Sequence, residues 1–342
     1  MLFRSTYFDH LFGSKYNDIW TTTDTTGRTT MQPVSWDYRF SNLCNFKCRM
    51  CGDMLSSAWE SEQRANDMID YSDPKNGWMV PAVREQITEF QDTVIEQEFA
   101  QAVEEHRVEE VYWVGGEPLM YEQHWRYMSR IIELGDGHNV YARYNTNLSR
   151  INYRGINLFR DILSRLRDWQ ICASIDGTGR IGEYIRSGLD FDSWLANIRE
   201  GIKYSHHGRQ IRLDFTLTTP GLFEVQAIQT LAQELGVQVL AKVVFSFSPD
   251  IVMSPLALPK EILHPWIDEI QHSIDKGALS DILVQLKTRP TFQEQWPDEY
   301  RTAIARGKAR VLKLERIRTQ SLTMTDILSH RPDVLEWWMR IE

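Results

Sequence analysis

Two kinds of apolar pattern alternate along most of this chain. Short segments in which apolar residues alternate with polar ones, or follow one another, predict β-strands. They lie at residues 34–40, 108–114, 139–144, 170–175, 211–217 and 237–245. Between them, apolar residues recur three and four positions apart, which predicts amphipathic helices. These helical segments lie at residues 83–106, 121–134, 156–168, 191–204 and 222–235.

The order of these elements predicts an α/β fold. Strands that alternate with helices form parallel sheets with right-handed crossovers. In such sheets the binding and catalytic residues gather on loops after the carboxyl ends of the strands. From about residue 255 the strands cease and helical patterns continue to the end. We therefore predict an N-terminal extension (1–32), an α/β domain (33–254) and a helical C-terminal region (255–342).

Three of the four cysteines, Cys44, Cys48 and Cys51, follow the first predicted strand with the spacing C-x3-C-x2-C. A loop can wrap three thiolates around one inorganic centre, whereas a helix would spread them over about 10 Å. Cysteine thiolates are the usual ligands of iron–sulfur clusters. Three of them leave one iron of a four-iron cluster open, and an open coordination position is where a metal centre does chemistry.

A structural zinc site is the main alternative for these cysteines. Zinc in such sites usually has four protein ligands, often in paired clusters. The chain has no second C-x2-C pair, and the nearest histidines, His106 and His124, are distant in sequence. The fourth cysteine, Cys172, lies inside a predicted strand, where it is either a packing thiol or a catalytic one. The iron–sulfur interpretation is therefore favoured.

Three further strand ends carry polar or glycine-rich motifs. Gly115-Gly116-Glu117-Pro118 follows the second strand, and its glycines let backbone approach a ligand closely. Asn145 and Asn147 end the third strand, and amides suit ribose hydroxyls. Ser174 and Asp176 end the fourth strand, and Arg186 follows them with a guanidinium that can clamp a carboxylate. Each motif could instead be an ordinary turn, and Arg186 could form a surface salt bridge.

Composition narrows the class of protein. The chain has 342 residues, is 42% hydrophobic, and carries a net charge of −9, which argues against a nucleic-acid partner. It has no apolar run near the ~18 residues of a membrane span. Residues 1–14 lack the apolar core of a signal peptide. Because three of the cysteines lie close together in sequence, a disulfide framework is disfavoured, and we expect a cytoplasmic enzyme.

Taken together, these motifs resemble the radical S-adenosylmethionine (SAM) enzymes of the SPASM or twitch type over about residues 33–250. Uncharacterised twitch-domain proteins, many of them encoded by phages, are the most similar. The resemblance therefore implies a location in the host cytoplasm if this protein is viral. The resemblance implies a partial (β/α)6 barrel and a [4Fe–4S] cluster held by the three cysteines. It also implies that SAM chelates the fourth iron, and that an external one-electron reductant of the flavodoxin or ferredoxin kind drives its cleavage. The resulting 5′-deoxyadenosyl radical abstracts hydrogen from the substrate.

The resemblance also implies roles for individual residues. Residues 115–118 would bind the SAM amino group, and Arg186 its carboxylate. Ser174 would lie near the carboxylate or ribose, and Asp176 near the substrate or a supporting arginine. Met50 stands where the family usually has an aromatic residue near the adenine.

The resemblance leaves the substrate open. Modification of a peptide or protein side chain leads, because the nearest characterised relatives are peptide maturases. Modification of a nucleotide or sugar is the second candidate, and a non-catalytic metal-binding protein the third. No cysteine follows Cys172, so we expect a single cluster. The C-terminal helices would then close the barrel mouth without a metal, with Trp337 and Trp338 as packing residues.

Overall fold

The computed structural model describes residue 13 and residues 15–342, and its central element is a sheet of six parallel strands. The strands of this sheet are β1 (Ser35–Tyr38), β2 (Glu110–Trp113), β3 (Tyr141–Thr146), β6 (Asp168–Ser174), β7 (Ile211–Leu217) and β8 (Gln238–Val243). They lie in the order β1-β2-β3-β6-β7-β8, so β1 and β8 are the two edges. The sheet and its helices form a partial TIM-like barrel, which confirms the predicted α/β class.

Helices connect the strands and continue past the last one. Up to β8 they are α1 (Lys15–Thr22), α2 (Ser57–Ala65), α3 (Pro81–Phe90), α4 (Glu96–Glu104), α5 (Glu122–Glu133), α6 (Gly179–Ile185), α7 (Phe191–Lys203) and α8 (Val225–Leu235). After β8 they are α9 (Lys260–Ser273), α10 (Ala278–Thr288), α11 (Phe292–Gln295), α12 (Tyr300–Arg318), α13 (Met324–Leu328) and α14 (Pro332–Arg340). Of the residues described, none belongs to a helix long and apolar enough to cross a bilayer.

One predicted helix, at residues 156–168, is wrong. The chain there forms a small hairpin of β4 (Asn152–Tyr153) and β5 (Ile156–Asn157), followed by a π-helical turn (Leu158–Ile162) and a 3-10 turn. The side chain of Asn157 accepts hydrogen bonds from the backbone of Phe159 and Arg160, which starts a turn too short to become an α-helix. Leu158, Phe159 and Ile162 of this segment are still buried. The apolar pattern therefore predicted correctly that these residues are buried, but not the secondary structure that they form.

Other differences are smaller. The predicted helix at 83–106 is interrupted by a π-helical turn, Gln91–Ile95, between α3 and α4. The sequence pattern did not predict α2 or α6, which are short and follow the cysteine loop and β6. The prediction that no signal peptide begins the chain concerns residues that lie mostly outside those described.

The two faces of the sheet differ in chemistry. Side chains on the face toward the helices, such as Val111, Trp113 and Ile171, are fully buried in the main apolar core. The alternate side chains point to the inner face, because successive residues of a strand project to opposite sides. We call this inner face the lumen. Its residues include Asp37, Glu110, Tyr112, Arg143, Asn145, Cys172, Ser174, Arg212, Asp214 and Lys242.

Candidate active site

The cysteine loop follows β1 and lies against the segment that ends α6. The backbone N–H of Lys47 donates to Ser187 O at 2.7 Å, and that of Arg49 donates to Ile185 O at 2.8 Å. Trp59 of α2 donates its indole N–H to Cys48 O at 2.7 Å. The loop is therefore fixed from two sides by hydrogen bonds that do not involve its thiols.

The three thiols of the loop are close enough to affect one another. Burial raises the pKa of Cys44 to about 12. A hydrogen bond with Cys51 lowers the pKa of Cys48, and the Arg186 guanidinium lowers it further. Among the residues described, no three His, Cys, Asp or Glu side chains converge as they would around a single metal ion. Three thiols on one loop, with the buried Arg186 guanidinium 3.9 Å from Cys48 Sγ, instead suit a cluster in which each thiol would bind a different iron.

The Gly115–Pro118 loop packs directly against the cysteine loop. The backbone N–H of Glu117 donates to Leu43 O at 2.7 Å. Gly116 has φ +50°, and a β-carbon there would overlap the Leu43 carbonyl and the Tyr121 hydroxyl. Only glycine fits this position, because the two loops approach closely and the backbone is left-handed. The second strand end thus shapes the wall beside the cysteines.

Glu117 is buried and has three protein donors. Its carboxylate accepts from Thr146 Oγ1 at 2.6 Å, from Asn147 N at 2.6 Å and from Leu119 N at 3.0 Å. Burial raises the pKa of Glu117 to about 7, against the lowering effect of these hydrogen bonds. The side chain therefore ties the ends of β2 and β3 together and has little capacity left for a ligand.

The two asparagines that end β3 have different surroundings. Asn147 reaches the cysteine loop, where its Nδ2 lies 2.9 Å from Asn45 Oδ1 and 4.0 Å from Cys44 Sγ. Asn145 points into the lumen, accepts from the Tyr112 hydroxyl at 3.0 Å and donates to Asp214 at 3.3 Å. Of the two, Asn147 is the one that lies beside the cysteines.

Arg186 and Asp176 form a buried ion pair next to Cys48. The guanidinium lies 2.7 Å from one carboxylate oxygen and 3.2 Å from the other, and its Nη1 is 3.9 Å from Cys48 Sγ. Asp176 also accepts from the backbone N–H of Thr216 at 2.8 Å and is fully buried. Of the two roles that the resemblance allowed for Asp176, this geometry favours support of the arginine over contact with the substrate.

The remaining predicted residues lie around the same region. Met50 is half-buried in the cysteine loop and packs against the core. Ser174 is half-buried at the carboxyl end of β6, and Pro118 is buried at the start of a 3-10 turn. The loops after β1, β2 and β3 and the segment after α6 therefore bring the cysteines together with Gly116, Asn147 and Arg186.

The sequence did not reveal a second support for the cysteine loop, which comes from the C-terminal region. Arg318 of α12 pairs with Glu62 at 2.7 Å and donates to Ser187 Oγ at 3.0 Å. Glu62 also accepts from Lys47 at 2.6 Å. Gln320 donates to Ser187 Oγ at 3.2 Å and accepts a short hydrogen bond from Arg49. Because Arg318 and Glu62 are 256 positions apart, no local spacing could predict this contact.

Two tryptophans of the C-terminal region were predicted to be packing residues. Trp337 and Trp338 are both buried in α14. Their indole N–H groups donate to the Tyr300 hydroxyl at 3.2 Å and to Thr325 Oγ1 at 3.3 Å. Both side chains are thus engaged with other C-terminal residues.

Comparison with known proteins gives one family match. Residues 38–232 match the family model described as Radical SAM superfamily. No curated protein sequence matches the chain significantly. Among solved structures, Streptococcus suis SuiB bound to precursor peptide SuiA is 14% identical, with a TM-score of 0.43, over 80% of this chain and 55% of that chain. SuiB bound to S-adenosylmethionine is 13% identical, with a TM-score of 0.43, over 79% and 52%. This chain thus spans about half the length of SuiB.

Proposed function

The chain belongs to the radical SAM superfamily, whose members use a [4Fe–4S] cluster and SAM, and we propose that Cys44, Cys48 and Cys51 are its cluster ligands. When bound, the reduced cluster supplies the electron that cleaves SAM and yields the radical that abstracts hydrogen from the substrate. The observation that carries the proposal is the presence of three thiols on one loop, with the buried Arg186 guanidinium, which comes from the end of α6, beside Cys48. The buried cation favours the thiolate form that a cluster requires.

The protein's own residues hold the two ends of the SAM amino acid portion in this proposal. The Gly115–Pro118 loop offers backbone carbonyls to the ammonium group, because the Glu117 carboxylate is occupied by three internal donors. Arg186 offers its guanidinium to the carboxylate and is oriented for this by Asp176. Asp176 is then a positioning residue, since it is fully buried behind the arginine.

Three further residues are proposed to contact SAM. Asn147, which lies beside Cys44, would hydrogen bond to the ribose, and Ser174 would do so from the end of β6. Met50 would pack its thioether near the adenine. Asn145, also predicted as a ribose contact, is better placed for the substrate, because it belongs to the lumen.

The substrate class and subtype are proposed from the resemblance. A peptide or protein side chain is the leading substrate, because the nearest characterised relatives are peptide maturases. A small polar molecule such as a nucleotide or sugar is the second candidate, and the polar lumen favours it. We further propose a single cluster, an external one-electron reductant and a cytoplasmic location.

The first experiment tests the cluster. Anaerobic reconstitution should give about four irons and four sulfides per chain. With SAM and dithionite, the protein should then produce 5′-deoxyadenosine. Cys48→Ala should lose both the iron and the product, while Cys172→Ala, which removes the one cysteine outside the loop, should keep the iron. Tightly bound zinc without iron, or a cluster that survives Cys48→Ala, would contradict the assignment.

The second experiment tests the SAM contact. Removing the Arg186 guanidinium should weaken SAM binding roughly ten- to a hundred-fold while iron content stays near wild type. Arg186→Ala leaves Asp176 buried without a partner, so the double variant Arg186→Gln/Asp176→Asn serves as a second test. Arg180→Ala, in the exposed first turn of α6, is the matched control. Unchanged SAM affinity in both Arg186 variants would refute this role.

A further inference from the structure

The lumen is more polar than the interior of a packed barrel. Closed barrels of this class fill their interior with layers of Val, Ile and Leu. Here the inward-facing positions of the six strands carry mostly charged, amide, hydroxyl or phenol side chains. Many are only partly buried, and Lys242 on the edge strand β8 keeps 44% of its side chain exposed. A surface of this kind is suited to bind a polar molecule.

Four strands contribute to one hydrogen-bonded row across this surface. The Tyr112 hydroxyl donates to Asn145 at 3.0 Å, and the Asn145 amide donates to Asp214 at 3.3 Å. Lys242 lies 2.8 Å and 2.7 Å from the two oxygens of Asp214. Because each member is fixed by its neighbours, the row is a preorganised wall.

Most charged side chains of the lumen form ion pairs with one another, and Arg212 does not. Glu110 pairs with Arg143 at 2.8 Å, and Asp214 pairs with Lys242 at 2.7 Å. Asp37 lies 3.5 Å from Arg39 at the exposed edge. Arg212 is different. Of the described carboxylates, none is within ion-pair distance of it, and its buried Nε has no hydrogen-bond partner.

Asp168 does not supply the missing partner. It lies at the amino end of β6, whereas Arg212 pairs in register with Cys172 further along that strand. Its carboxylate accepts from Gln210 Nε2 at 2.8 Å and lies 3.3 Å from His207 Nε2. Arg212 is half-buried, and its Nε–H is fully buried without an acceptor in the described part of the chain, which is costly. The planar donors of the guanidinium match an oxyanion.

We propose that Arg212 binds an anionic group of the substrate, a carboxylate or a phosphate, against the Tyr112–Asn145–Asp214–Lys242 row. The inference rests on the proposed function, since it takes the lumen as the substrate site. Beyond the proposed function, the inference is that the part of the substrate that enters the barrel carries a negative charge. The net charge of the chain is −9, so a basic position inside the barrel selects such a substrate locally and not by general attraction.

Cys172 provides a reporter inside the lumen. It pairs in register with both Asn145 and Arg212, and it is 8% exposed. Burial raises its pKa to about 11 and the Asp214 carboxylate adds to the rise, while Arg212, Lys242 and Arg143 are close enough to oppose it. Peptide mapping by mass spectrometry can measure its alkylation separately from that of the cysteine loop.

The experiment compares two alkylating reagents on the cluster-loaded protein. Iodoacetate is anionic and iodoacetamide is neutral, and both transfer their carbon to the thiolate with loss of iodide. We expect Arg212→Gln to lower the ratio of the iodoacetate rate to the iodoacetamide rate roughly ten-fold. Taking the ratio cancels any change in thiol pKa. Arg212→Lys should keep most of the ratio, and the exposed Arg306→Gln should leave it at the wild-type value.

A second measurement covers the case in which Cys172 reacts too slowly with either reagent. Inorganic phosphate and acetate are added separately at constant ionic strength, with chloride as the reference. At least one of them should raise the melting temperature of the wild type and of Arg306→Gln, but not of Arg212→Gln. Which anion is more effective distinguishes a phosphate from a carboxylate substrate.

Two outcomes overturn the inference. One is a ratio that Arg212→Gln leaves unchanged. The other is a melting temperature that responds equally to these anions in the wild type and the variant. SAM cleavage is measured on the same samples. Normal 5′-deoxyadenosine formation without anion selectivity would remove this inference alone, whereas loss of cluster and product in the wild type would remove the proposed function.

Discussion

The cysteine loop is held from two sides that use different physical means. On the barrel side, the Gly115–Pro118 loop approaches so closely that Gly116 has no room for a side chain. On the C-terminal side, the contacts are made by charged side chains, with Arg318 and Glu62 each about 95% buried. One support therefore depends on steric fit and backbone hydrogen bonds, and the other on a desolvated ion pair.

The two supports also differ in whether their residues lie inside the region that matches the family model. Residues 38–232 include the barrel-side support and Glu62, but not Arg318 or Gln320. The Arg318 and Gln320 side of the C-terminal contacts therefore comes from residues outside the matched region. The C-terminal region was predicted to close the barrel mouth. In the structure, α12 contacts α2 and the end of α6, and Gln320, just after α12, contacts the cysteine loop.

The largest expected effect breaks the C-terminal support. Arg318→Ala leaves Glu62 buried with only Lys47 as a partner. Removing one member of a buried pair typically costs about 3–5 kcal/mol, and we expect a loss of this size in the free energy of unfolding measured with urea. Arg310→Ala is the matched control, because Arg310 also lies over the Trp59 ring, on the same helix, but is exposed. A loss of less than about 1 kcal/mol in the free energy of unfolding would show that the Arg318–Glu62 pair contributes little to stability.

The next effect breaks the barrel-side support. Gly116→Ala places a methyl group against the Leu43 carbonyl in a left-handed backbone, and overpacking together with this strain should cost about 2–4 kcal/mol. Gly179→Ala is the matched control, because Gly179 has a similar φ of +45° and nothing within 4 Å of its added carbon. It should lose only about 1 kcal/mol. Equal melting temperatures for the two variants would show that the loops do not pack as described.

Most of the fold followed from the sequence, because burial on a strand or helix leaves a regular apolar period. All six parallel strands were predicted to within a few residues. The prediction of a helix at 156–168 was wrong, because Leu158, Phe159 and Ile162 would be equally buried in a helix or in the turns that form. Helix α6 was missed because it is short and contains two glycines.

The candidate site divides in the same way. The cysteines, the glycine loop and Arg186 were found because they are local motifs at strand ends. The partners of Glu117 and Asp176 were not, because Thr146 and Thr216 come from other strands. Glu117 was predicted as a ligand contact and proves to have three protein donors, whereas Asp176 takes the second of its two predicted places, beside an arginine. Arg212 was not singled out, because an unpaired charge is visible only once its neighbours are known.

The third prediction concerns how the stability of the barrel-side support depends on pH through Glu117. Burial raises the pKa of Glu117 from 4.5 to about 7, so the folded protein holds this proton more tightly than the unfolded chain. The contribution of Glu117 to the free energy of unfolding is then highest below pH 4.5, and it falls by roughly 3 kcal/mol as the pH rises to about 7. Glu117→Gln should remove this fall over the same range.

The C-terminal support has the opposite dependence, which makes the pH test specific. Interactions with Arg318 and Lys47 lower the pKa of Glu62, against the effect of burial, so its contribution is present above about pH 4.5 and is lost only in acid. Urea unfolding of Glu117→Gln and of Arg318→Ala from pH 4.5 to 8 separates the two. Parallel pH curves for Glu117→Gln and the wild type would contradict the assignment.

The smallest expected effect concerns the uncharged part of the C-terminal support. Gln320→Ala removes an acceptor from Arg49 and a donor to Ser187. Arg49 keeps its bond to the Tyr184 carbonyl and its position over the Tyr184 ring, so the guanidinium stays in place. The cost should be about 1–2 kcal/mol, less than that of Arg318→Ala. Urea unfolding measures it, with the exposed Gln226 on α8 as the control in Gln226→Ala. A cost equal to that of Arg318→Ala would mean that the support acts as one hydrogen-bonded unit, and that its strength does not come from the ion pair.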